Sequence, residues 1–86
     1  MPERTTYYAM LLGKRTIENP SGLARRRHLN DGGIRDEALG RDLLWNPNPG
    51  LAGWERGDLT TTYVEVSEEE AGRIIERFRE KWAAEA

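Results

Sequence analysis

The segment "VSEEEAGRIIERFREKW", residues 66–82, limits what this chain can fold into more than any other part of it. Ser67 and Glu70 stand in the S-x-x-E relation of a capping box, in which a hydroxyl accepts from one free backbone N–H and a carboxylate reaches back to another. Ala71, Ile74, Ile75, Phe78 and Trp82 then fall on one stripe at helical spacing. Glu68, Glu69 and Glu70 crowd the first turn while Arg77, Arg79 and Lys81 lie late, the order that the helix dipole favours. The spacing predicts an amphipathic helix over about 68–83 whose apolar stripe must lie on another layer. Gly72 costs about 1 kcal/mol relative to Ala and is expected to mark a close approach to whatever the helix covers.

That other layer is read as a sheet. "TTYYAMLL", residues 5–12, alternates Tyr7, Ala9 and Leu11 with Tyr8, Met10 and Leu12, apolar on both faces and so central. "LTTTYVEV", residues 59–66, is rich in β-branched residues and feeds the helix with almost no loop. "GLARRRHL", residues 22–29, lies between the turn signals "NPSG" and "NDGG" and pairs with the first strand as a hairpin. Residues 34–44 read either as a short helix capped by Asp36 and weakened by Gly40, or as a further strand, which is the reading preferred. "NPNPGLAG" is kept out of regular structure by its prolines and glycines. The expected fold is a single α+β domain over residues 1–86: an antiparallel sheet of three or four strands with one C-terminal amphipathic helix packed on one face.

A chain this short hides only about 60 to 65% of its unfolded surface, so a deep catalytic cavity would consume core that the fold needs. With no cysteine, neither a disulfide nor a thiolate zinc site supplements that core. The longest apolar run, "YYAMLL", is too short to span a bilayer, and "MPERTT" lacks the basic region of a signal peptide, so no membrane association and a cytoplasmic location are expected. Residues 1–28 hold six Lys/Arg against two acids (6 − 2 = +4), and residues 29–86 hold seven against thirteen (7 − 13 = −6). The asymmetry fits either halves that attract each other or a face that binds a polyanion.

Arg25, Arg26 and Arg27 with His28 are the densest positive run in the chain. On a strand, neighbouring side chains point to opposite faces, so Arg25 and Arg27 share one face with Leu23 while Arg26 and His28 share the other with Ala24. The triplet is therefore two pairs of side chains, suited to blunting an edge or to binding an anion. Lys14 and Arg15 stand in the hairpin loop and extend the anion-binding option. Trp45 and Trp54 bracket the Pro/Gly loop, either as anchors for a partner or as a roof over the open end of the sheet. "RGD" at 56–58 is read as a turn, "GKRT" at 13–16 lacks the upstream glycine of a P-loop, and "GLAG" at 50–53 lacks the flanking helices of a GXXG clamp.

Catalytic constellations are missing: Ser67 is taken by the cap, Ser21 by a turn, and His28 has no orienting partner or recognisable metal-ligand spacing with Asp31, Asp36 or Asp42. The residues point to a small non-enzymatic binding or accessory module, without cofactor or metal. It would engage a protein through the Trp45–Trp54 loop and the adjacent arginine strand, with Arg25, Arg27, His28, Trp45 and Trp54 as the binding residues. The alternative is RNA or single-stranded DNA binding through Lys14, Arg15, Arg25 and Arg27 with an exposed Trp as stacking platform, and a weak enzyme comes third. In "GLARRRH", "RDLLW" and "VEVSEEEAGRIIERFREKW" the chain resembles small uncharacterised proteins of high-GC actinobacterial genomes. That resemblance implies a soluble cytoplasmic accessory protein and no particular activity, cofactor or site.

Overall fold

The computed structural model describes residues 3–57 and 61–85. Five strands, β1 (Arg4–Leu12), β2 (Gly22–His28), β3 (Ile34–Leu39), β4 (Trp45–Pro47) and β5 (Thr61–Val66), form one antiparallel sheet in the order β4-β3-β2-β1-β5. A short helix, α1 (Gly50–Glu55), precedes β5, and a long one, α2 (Glu68–Glu85), follows it. The fold class is the expected α+β sheet with a C-terminal helix. The strand count is one higher than the upper expectation, because the chain after β3 turns at Gly40–Leu44 and pairs three further residues, Trp45–Pro47, with Leu39–Glu37. Residues 34–44 resolve as strand over Ile34–Leu39 and turn beyond it, with no helix capped by Asp36. Asp58, which completes "RGD", and the first two residues of the strand expected from 59 lie outside the described residues.

The register of β1 shows why it is central. It pairs with β2 from Arg4↔His28 to Met10↔Gly22 and with β5 from Tyr7↔Val66 to Leu12↔Thr61. Its odd-numbered apolar residues look to one face and its even-numbered ones to the other, and each face has its own core. On the first, Ala9 and Leu23 meet Ala71, Ile74 and Phe78 of α2, with Tyr7, Leu11, Leu39, Trp45, Val66, Ile75 and Trp82 around them. On the second, Ala24, Leu51 and Tyr63 are buried together, flanked by Tyr8, Met10 and Trp54.

The second core corrects the expectation that "NPNPGLAG" is irregular. Asn48 accepts from Gly50 N–H at 3.0 Å through its side chain, and its own N–H donates to Asp36 O at 2.9 Å, which turns the chain over the sheet. Glycine at 50 suits the close approach there, since a Cβ would lie 2.6 Å from the Tyr63 hydroxyl oxygen and would push it aside. From that turn a single α-helical stretch sets Leu51 into the layer. The prolines stop at the helix boundary, where proline is tolerated.

At the start of α2, Ser67 Oγ accepts from Glu70 N–H at 3.1 Å, the first half of the capping box. The Glu70 carboxylate, however, takes hydrogen bonds from Arg73 (2.6 and 2.9 Å) and Arg77 (3.0 Å) along the helix surface. Those guanidiniums hold its carboxyl below the ordinary value, Arg73 foremost. Gly72 is not a close-approach residue: it is exposed, and a Cβ would meet nothing within 4 Å. At the far end of α2, Phe78 and Trp82 stack with centroids 4.9 Å apart, and Arg41 of the β3–β4 turn bonds Glu85 at 2.8 Å.

Candidate functional site

The three consecutive arginines diverge as a strand requires, and carboxylates meet all three. Arg26 points to the α1 face. It makes a two-point contact with Asp36 (2.7 and 3.0 Å) and a second with Glu55 (2.9 and 2.7 Å), so one guanidinium joins β2, β3 and α1. Arg26 and Asp36 side chains are only 13% and 14% exposed, and an ion pair that far from water resists breaking because either partner alone would be left desolvated. The two carboxylates raise the Arg26 pKa further, and Arg26 in turn holds the Glu55 carboxyl below its ordinary range. Burial in the same layer pushes the Tyr8 phenol up, against the lowering effect of Arg26.

Arg25 and Arg27 occupy the α2 face, in a strip between α2 and the β4 edge. Arg25 donates to Glu37 at 2.8 Å and sits over Trp45 with its Cζ 4.2 Å from the ring centroid, a cation–π contact. Tyr7, the cross-strand neighbour of Arg25, also borders the indole, with centroids 6.2 Å apart. Arg27 reaches Glu3 at 3.2 Å and Glu37 at 3.9 Å, and its cross-strand neighbour on β3 is Arg35. Like charges directly opposite are unfavourable in a sheet. Among the described residues, Arg35 is exposed and has no carboxylate within ion-pair distance.

Of the five residues expected to form one binding surface, the structure brings three together: Arg25, Arg27 and Trp45. The other two are on the opposite face. Trp54 sits on α1 with its ring 5.6 Å from that of Tyr63, half-buried in the second core, and His28 is aligned with Arg26 on the α1 side, across from Arg4 and Ile34. The two tryptophans bracket the loop in sequence, but the turn at Asn48 carries the chain onto the α1 face before Trp54 is reached. Sequence reasoning missed Tyr7, Glu37 and Arg35 as neighbours of this patch. Alternation along β3 puts Arg35 and Glu37 on one face, but nothing in the letters fixes that face relative to Arg25.

The four cations of the nucleic-acid reading are not gathered. Arg15 spends its guanidinium on its own loop, donating to Asn19 O at 3.0 Å and Pro20 O at 3.2 Å. Lys14 and Arg15 follow Leu12, whereas Arg27 pairs with Thr5 at the other end of β1, roughly 23 Å away at strand rise. Among the described residues there is no group of three or more His, Asp or Glu placed to hold a metal ion, and no helix is long and apolar enough to cross a membrane. The chain matches no family model, no curated protein and no solved structure.

Proposed function

We propose that this chain is a small non-enzymatic binding module that engages a protein partner through the Trp45 patch on the α2 face. The observation that carries the proposal is the mounting of that indole. Trp45 is half-buried on the edge strand, packed against the first core beside Tyr7 and the Arg25 guanidinium, which Glu37 fixes in turn. An aromatic side chain held in one orientation beside arginines loses little entropy on contact, and Trp, Tyr and Arg are the residue types that dominate binding energy at protein interfaces. Arg27 and Arg35 form a positive rim to the patch and favour a partner with a carboxylate at that point. Trp54 and His28, on the other face, are assigned to the fold.

Affinity capture from native lysate tests this reading with three variants whose folding is first confirmed by circular dichroism. Trp45→Ala and Arg27→Ala are expected to lose the same prey, while Trp54→Phe keeps it. Retention of that prey by Trp45→Ala, or equal loss from all three, contradicts the assignment.

A further inference from the structure

The two edges of the sheet are built differently. β4 is three residues long, ends in Pro47, and the chain then leaves the sheet through Asn48 and Pro49, so little unpaired backbone is offered there. β5, Thr61–Val66, is six residues of "TTYVEV" with no proline, glycine or lysine. It pairs with β1 on one side, and among the described residues no strand covers the other. None of the usual devices that discourage edge-to-edge pairing is present on it except a single carboxylate, Glu65.

We propose that the outer edge of β5 pairs antiparallel with the same edge of a second copy across a two-fold axis, joining two sheets into one. Directly opposed residues in such a pair share a face, so the axis passes through one residue. With Tyr63 on the axis, Glu65 faces Thr61 and Thr62 faces Val64 of the other copy. With Val64 on the axis, Glu65 faces Tyr63 and Thr62 faces Val66. Both registers place β-branched residues opposite one another and keep the two Glu65 carboxylates apart, whereas centring on Glu65 sets like charges face to face.

The charges at the ends of the strand also match. The Thr61 end of β5 adjoins Leu12 and therefore the β1–β2 loop that holds Lys14, which is exposed. The Val66 end runs into Glu68 and Glu69 of α2, also exposed. Antiparallel pairing brings the acidic first turn of each copy to the end of the sheet where the other carries Lys14. This use of Lys14 is independent of the Trp45 patch, which lies at the opposite edge of the sheet.

Sedimentation equilibrium of the full chain over a concentration series to about 500 μM, within reach of weak association, is expected to give twice the chain mass at the upper end. Thr62→Lys, at an exposed position, is expected to weaken association about tenfold or more by placing charge on the edge. Because the chain has no cysteine, Thr62→Cys/Val64→Cys reports either register by forming a covalent dimer under mild oxidation, and Asn46→Cys on β4 is expected to form none. A single-chain mass at every concentration overturns the proposal. So does a dimer that Thr62→Lys leaves unchanged, or one that cross-links through position 46 and not through 62 and 64.

Discussion

The two faces of the sheet are held by different physics. On the α2 face an eighteen-residue helix buries Ala71, Ile74 and Phe78 against Ala9 and Leu23, and charged groups stay at the margin. On the α1 face a six-residue helix is far too short to be stable alone. It is held by one leucine, by contact between Trp54 and Tyr63, and by the Arg26 fork that grips Glu55. The difference teaches that an element with little apolar surface can add an ion pair to its one buried anchor, provided that the pair's partner is already locked in the sheet, as Arg26 is by Asp36.

The comparison can be broken from either side. Ile74→Ala, at a fully buried position, removes core from the α2 face and is expected to cost about 3 to 4 kcal/mol in urea unfolding, with little dependence on salt. Arg26→Met leaves the Asp36 carboxylate desolvated and unpaired and is expected to cost about 3 kcal/mol. The Arg26→Met loss should shrink when Asp36 is also changed to Asn. A loss below about 0.5 kcal/mol would remove Arg26 from the support of the fold. Leu51→Ala is expected to cost about 2 kcal/mol, less than Ile74→Ala, because a one-turn-and-a-half helix at the surface can settle into the space.

Acid sharpens the contrast. Glu55 has its carboxyl lowered by the hydrogen bonds from Arg26, so the folded state binds that proton less readily than the unfolded chain. The stabilisation is complete above the ordinary value of 4.5 and fades as pH falls through the lower folded value. Glu55 is 48% exposed, so solvent screening limits the effect to about 1 kcal/mol or less. Fluorine NMR of the 5-fluorotryptophan-labelled chain separates the three indoles. As pH is lowered below 4.5, the Trp54 signal is expected to move before those of Trp45 and Trp82. Simultaneous movement of all three would mean that α1 has no separate ionic tether.

How much of this was legible in the letters follows the same division. The α2 stripe and the alternation of β1 are periodic signals that survive any context, and the divergence of Arg25, Arg26 and Arg27 follows from strand geometry alone. α1 was missed because its propensity is poor: Gly50 and Gly53 lie within six residues and prolines precede it, and only the turn made by Asn48 and the landing site beside Tyr63 make it helical. Trp45 and Trp54 looked like one feature because they are near in sequence. Their separation depends on which way a loop crosses the sheet, a choice made by long-range contacts such as Glu55 to Arg26. Gly72 was misread for the converse reason, since a rule about close packing was applied to a residue on the solvent side of its helix.

Consecutive guanidiniums that part to opposite faces, with the middle one binding a short helix to the sheet, are best probed by a double-mutant cycle of Arg26→Met and Glu55→Gln, measured by urea unfolding at low ionic strength. The expected coupling is about 1 kcal/mol, discounted for the exposure of Glu55. Strictly additive effects of the two changes would contradict it.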